Sequence, residues 1–141
     1  KKIELVIYDN KGDDTESVTA FTRMVDEGIT ALVGDVLTGN TLAMVGEANA
    51  VNMPMITPSA TAAAVTVKED GTVYSNVFRT CFIDPFQGEK MAAFAAEVLG
   101  VKTAAVFAQT GNDYAQGLAD AFKAKLPKKA MPRAMWTTRA S

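Results

Sequence analysis

The side chains able to do chemistry in this chain are hydroxyls, amides and carboxylates. No histidine occurs, and Cys81 is the single cysteine. These absences remove the usual zinc sets, the Cys/His and Ser/His/Asp nucleophile arrangements, and an internal disulfide. The chain also lacks a GxGxxG turn, a Walker loop, a CxxC pair and an HExxH helix, so neither a nucleotide nor a metal is implied and no cofactor is expected. What remains are two loops dense in hydroxyls and small residues, Thr38-Gly39-Asn40-Thr41 and Thr57-Pro58-Ser59-Ala60-Thr61. Such loops, ahead of helices, offer backbone N–H groups and hydroxyls to a carboxylate, helped by the positive end of the helix dipole. Capping and turn formation are the competing use of any one of these residues.

Two further groups invite a chemical reading. Asp9, Asp13 and Asp14 resemble the magnesium-holding acids of phosphate-receiver domains. Leu32-Val33-Gly34 and Ile56-Thr57-Pro58 supply no acceptor aspartate at a later strand end, however, so a helix-capping turn is the better reading. Tyr114 falls just inside a helix start, where its ring can lie against a ligand or pack on a neighbouring loop.

The elements that would position these residues follow from apolar spacing. Ile3 to Tyr8 is a short apolar run closed by Asp9-Asn10-Lys11-Gly12-Asp13-Asp14, which predicts a strand and then a capped helix. Val18, Phe21, Met24 and Val25 have helical spacing, and Gly28 ends that segment. Ile29 to Val33 predicts a second strand, Thr41 to Asn49 a helix, and Met53 to Thr57 a third strand with Pro54 at its start. Ala62 to Gly71 is weakly patterned. Val77 to Phe82 predicts a strand, Asp84-Pro85 an N-cap and first helical position, and Gln87 to Leu99 a helix ended by Gly100. Thr103 to Phe107 predicts a fifth strand, and Asp113 a cap for a helix over Tyr114 to Leu126. Alternating strands and helices predict an α/β fold, a parallel sheet covered by helices on both faces in the three-layer, flavodoxin-like manner. Ligands of such sheets bind beyond the carboxyl ends of the strands, which is where both hydroxyl loops fall.

At 141 residues with 48% hydrophobic and 21% charged side chains, the chain is of one-domain size and ordinary globular balance. No apolar stretch approaches the roughly 20 residues that span a bilayer. The net charge of −2 is unevenly spread: residues 1 to 122 sum to −8, whereas 123 to 141 carry six bases and no acid. The basic end has loose spacing and no aromatic ladder, so it is not read as a nucleic-acid arm. A domain over residues 1–126 and a basic irregular tail over 127–141 are the expected organisation.

The words of the sequence then become recognisable. KKIELVIYDNKGD, ALVGDVLTGNTLA, MPMITPSAT, VFRTCFIDPFQG and NDYAQGLADAFK resemble, in order and approximate spacing, the periplasmic branched-chain amino-acid binding proteins of ABC importers. The resemblance covers residues 1 to about 126. It implies two α/β lobes hinged around a cleft, the binding of an amino acid and its delivery to a membrane permease, no enzyme activity, and a periplasmic or lipoprotein-anchored location. By resemblance Thr38, with Gly39 beside it, holds the ligand carboxylate, and Ser59, Ala60 and Thr61 contact its carboxylate and ammonium. Tyr114 matches a tyrosine that closes over the ligand, and Asp84 matches a position near the lobe crossover. Residues 1–100 correspond to a first lobe and 101–126 to the start of a second.

Family members are more than twice this length, so a truncated fragment beginning at the second strand is expected. The family's first strand lies between the counterparts of Ile3–Tyr8 and Ile29–Val33, and a gap there would leave unpaired backbone groups inside the sheet. Thr103 to Phe107 is expected to fill that slot, within the chain or from a partner chain in a domain-swapped homodimer. Two other readings stand beside amino-acid binding: a dimerising structural domain without ligand, and an enzyme or signalling domain supported by fold analogy alone.

Overall fold

The computed structural model describes residues 2–126 and the strand Thr138–Arg139, so the remainder of the basic tail lies outside the described residues. Two compact units divide the chain, Lys1–Cys81 and Phe82–Ser141.

In unit 1, helix α1 (Asp14–Asp26) follows the acidic turn, with Asp13 as N-cap: its Oδ1 accepts from the Glu16 N–H at 2.9 Å. Strand β1 (Leu32–Val33), helix α2 (Thr38–Ala50), strand β2 (Met55–Thr57) and strand β3 (Val77–Arg79) follow, with a 3₁₀ turn at Ala63–Val65. The strands form a parallel sheet in the order β1-β2-β3. Leu32 and Val33 are in register with Met55 and Ile56, and Met55, Ile56 and Thr57 with Val77, Phe78 and Arg79. The core is the apolar side of these elements: Phe21 of α1, Met44, Val45 and Ala48 of α2, and Leu32, Met55 and Val77 of the strands, closed by Ala60 and Val65. Asn76 ties the sheet to α2, donating from Nδ2 to the carbonyls of Ala48 and Met53 at 3.0 and 2.8 Å.

Unit 2 contains helix α3 (Asp84–Ala93), continued by one π-helical turn over Phe94–Val98, and helix α4 (Asp113–Lys125). Strand β4 (Ala108–Gln109) pairs in parallel with β5 (Thr138–Arg139). The two helices meet through glycines. A Cβ on Gly88 would stand 2.6 Å from Ala121 Cβ, and one on Gly117 would stand 2.5 Å from Asp84 Oδ2. Only residues without side chains permit so close an approach.

The α/β class with parallel strands and intervening helices is as expected, but three details differ. Ile3 to Tyr8 joins no ladder among the described residues, and Ile3, Leu5 and Ile7 are 91, 77 and 82% exposed. It is tethered by side chains instead: the Tyr8 hydroxyl donates to Glu27, and Asn10 Nδ2 donates to Asp35 and to Ser17 Oγ. Thr103 to Phe107 is likewise outside any ladder; pairing begins at Ala108, toward β5 rather than β1. The five-stranded sheet with this segment in the vacant slot is therefore not formed, and the strand that a swapped dimer was to exchange is not a strand. An apolar run supplies side chains for a strand, but its N–H and C=O groups need a neighbour in register, which neither run has among the described residues. Finally, Ile83 and Asn112 are the N-caps of α3 and α4, so Asp84 and Asp113 are first helical residues rather than caps.

Candidate functional site

Five of the seven residues singled out by sequence come together at the carboxyl end of the unit 1 sheet. Thr38 and Gly39 open α2 after β1, and Ser59, Ala60 and Thr61 follow β2. Asp35 fixes the first loop: its Oδ1 accepts from the Leu37 N–H at 2.7 Å, and its Oδ2 accepts from Asn40 Nδ2 at 3.4 Å. The Gly34–Asp35 peptide is cis. Leu37, the N-cap of α2, has an apolar side chain and makes no capping bond, so the first-turn N–H groups of α2 stay available to an external acceptor. Gly39 is set by packing, since a Cβ there would stand 3.2 Å from Asp14 Oδ1.

The second loop is bound to the first. Thr57, fully buried at the last rung of β2, donates its hydroxyl to Asp35 O at 2.7 Å and accepts from the Ser59 and Ala60 N–H groups at 3.4 and 3.0 Å. Ser59 Oγ donates to Val36 O at 2.7 Å. These bonds consume the hydroxyls of Thr57 and Ser59 and the amide of Ala60. Thr61 is different. It is 4% exposed, and its Oγ1 is buried with no hydrogen-bond partner among the described residues. A buried hydroxyl left unmatched costs about 1–3 kcal/mol and is rare in native structures, so its retention asks for an explanation.

Asp84 and Tyr114 lie in unit 2, each in the first turn of its helix. Asp84 is 2% exposed beside Gly117. Tyr114 is 39% exposed, and its hydroxyl accepts from Gln87 Nε2 at 3.4 Å. Among the described residues, no group of three His, Cys, Asp or Glu side chains stands close enough to hold a metal ion. The unit 1 cluster is thus an array of neutral donors and small side chains, suited to receiving an anionic oxygen by hydrogen bonding.

Sequence reasoning passed over Asp35 and also Arg79, which donates to the carbonyls of Ala60, Ala62 and Ala63, and it gave Thr57, though part of the hydroxyl loop it singled out, no role in this frame. Thr57 had a visible signal, a hydroxyl at a strand end before Pro58. Arg79 had none beyond its charge inside an apolar strand.

Comparison with known proteins assigns the class. Residues 1–135 match the family described as periplasmic binding protein, and the chain belongs to it. It is 35% identical over 128 residues to Leu/Ile/Val-binding protein homolog 3 of Brucella melitensis biotype 1, covering 91% of this chain and 33% of that protein. It is 33% identical over 122 residues to the leucine-, isoleucine-, valine-, threonine- and alanine-binding protein of Pseudomonas aeruginosa, covering 86% of this chain and 31% of that one. Among solved structures, the leucine-binding protein LivK of Thermotoga maritima superposes with a TM-score of 0.89 at 34% identity, over 100% of this chain and 39% of that chain. LivJ of Streptococcus pneumoniae, a branched-chain amino acid transporter substrate-binding protein in complex with isoleucine, gives 0.87 at 31% identity over 100% and 38%. The chain spans about one third of the length of the curated relatives it matches.

Proposed function

We propose that this chain is part of the substrate-binding component of an ABC importer and that it receives a branched-chain amino acid through its α-carboxylate. The observation that carries the reading is the buried Thr61 Oγ1, without a hydrogen-bond partner among the described residues, in the loop that Ser59 and Thr57 tie to the segment leading into the uncapped α2. Thr38, Gly39 and the first-turn N–H groups of α2 take the carboxylate, where the helix dipole favours negative charge. Ser59, Ala60 and Thr61 form the second wall, with the Thr61 hydroxyl donating to the ligand and so gaining the bond it otherwise lacks. Tyr114 as an aromatic ligand contact and Asp84 near the ligand stand on the family resemblance. Delivery to a permease and a periplasmic location follow from the family, and no chemical step is proposed.

Calorimetric titration of the 141-residue chain with isoleucine, leucine and valine, and in parallel with isoleucinamide, tests the reading. Saturable binding of at least one free amino acid with none of the amide is expected. Failure of all three amino acids, or equal binding of isoleucinamide, would overturn it.

A further inference from the structure

Arg79 reaches into the frame of the second loop. It occupies the last rung of β3, in register with Thr57. Its Nη1 donates to the carbonyls of Ala60 and Ala62 at 3.1 and 2.9 Å, and its Nη2 donates to the carbonyl of Ala63 at 3.2 Å and to Thr66 Oγ1 at 2.6 Å. Cys81 Sγ adds a weak contact to the same Ala60 oxygen at 3.6 Å. A strand residue that gathers three carbonyls of one loop does more than satisfy its own charge, because carbonyls drawn to a common point fix the path of the backbone between them.

The geometry of the peptide unit extends the argument. In a trans peptide the N–H points opposite to the C=O. With the Ala60 carbonyl held on the guanidinium, the Thr61 N–H must face the other way, out of the Arg79 side of the loop. The cation also polarises the peptide whose oxygen it holds, which makes the opposing N–H a stronger donor. Thr57 secures the same loop by its Ala60 N–H, so the rung Thr57–Arg79 grips both polar groups of Ala60 and leaves Thr61 as the first residue free to turn its donors to a ligand.

We propose that Arg79 is a positioning residue for ligand recognition: by holding the carbonyls of Ala60, Ala62 and Ala63 it sets the orientation of the Thr61 N–H and hydroxyl, and thereby the affinity of this loop for a carboxylate. The proposal rests on the amino-acid-binding reading above. The planar fork of arginine is essential to it, since an ammonium at the same place is a point charge that cannot span the three oxygens in one plane.

The test uses the full 141-residue chain with Arg79→Met, Arg79→Lys and Thr66→Val, reading isoleucine affinity by calorimetry and amide hydrogen exchange by NMR. In Arg79→Met, protection of the Ala60, Val65 and Thr66 amides falls at least tenfold while that of Leu32 and Met55, bonded within the sheet, holds, and isoleucine affinity falls at least tenfold. Arg79→Lys lies between Arg79→Met and wild type in both readings. Thr66→Val, which removes one of the four bonds but no loop carbonyl, stays within twofold of wild type in affinity. Unchanged affinity in Arg79→Met, or equal loss of protection at Leu32 and Met55, overturns the assignment, the second by showing a general structural role. A wild-type chain that binds none of the three amino acids overturns the functional reading and the ligand part of this proposal together, a result distinct from wild-type binding that survives Arg79→Met.

Discussion

The two units of the chain bury their apolar residues very differently. In Lys1–Cys81, ten buried residues from two helices, three strands and the segments on either side of β2 form one core cluster. In Phe82–Ser141 the described buried cluster consists of Ala92 and Leu126 with Phe122 packed on it, while Phe82, Phe86, Met91, Phe94, Val98, Leu99 and Phe107 are exposed. The first unit is held by side-chain burial beneath a hydrogen-bonded frame, whereas among the described residues of the second two helices approach closely, Gly88 against the α4 backbone and Gly117 against the Asp84 side chain. Where a core exists, its rim can hold donors rigidly, and the hydroxyl loops sit on that rim.

Truncations on the two sides should separate these modes. Met55→Ala, at a central-strand position 1% exposed, is expected to cost about 2–5 kcal/mol in chemical denaturation. A loss below about 1 kcal/mol would mean that the unit 1 core does not carry its stability. Gly88→Ala should cost about 1–3 kcal/mol, read as lost protection of the α3 and α4 amides, because the new methyl meets Ala121 Cβ and the Leu118 carbonyl. A neutral Gly88→Ala would show that the helices can separate without penalty. Phe94→Ser removes a large apolar side chain that is half exposed and is expected to shift unfolding by no more than about 0.5 kcal/mol; a cost like that of Met55→Ala would erase the contrast between the units.

The smallest effect is electrostatic. The Gln116 side-chain amide, with the Lys123 ammonium behind it, lowers the pKa of the Asp120 carboxyl from the ordinary aspartate value. A carboxyl with a depressed folded pKa adds stability above the unfolded pKa, about 3.9, and loses it as pH falls through the folded value. The group is largely exposed, so the contribution is small and screened by salt. An NMR titration should place the Asp120 midpoint below that of an unstructured aspartate, with Gln116→Ala moving it up. A midpoint that Gln116→Ala leaves in place would assign the shift elsewhere.

Much of this was legible in the chain itself. Helical spacing located α1 and α2, and cap signals α3 and α4, although α2 begins at Thr38 rather than Thr41 because its first turn lacks apolar residues and carries the polar loop. The strands at Leu32–Val33, Met55–Thr57 and Val77–Arg79 lie inside the expected runs, and each has a ladder partner. Ile3–Tyr8 and Thr103–Phe107 have equally good strand composition, but pairing depends on neighbours that composition does not reveal. The clustering of Thr38 with Ser59–Thr61 follows from the parallel-sheet rule. The frame does not: Arg79 lies 18 residues beyond Thr61 in sequence, and only the register of β3 beside β2 brings its guanidinium to the loop carbonyls. Asp35 likewise read as a loop acid, and its role as acceptor for Leu37, Asn40 and Asn10 emerges once β1, α2 and the amino-terminal segment are folded together.

The central claim is that the buried Thr61 hydroxyl is kept for a ligand rather than for the fold. Thr61→Val is close to isosteric and removes an unmatched polar group, so thermal unfolding of wild type and variant with and without isoleucine measures the claim directly. The account predicts a ligand-free melting temperature for Thr61→Val equal to or above wild type, together with loss of the stabilisation that isoleucine gives the wild-type chain. A variant that melts lower without ligand yet keeps the full isoleucine-dependent shift would contradict it.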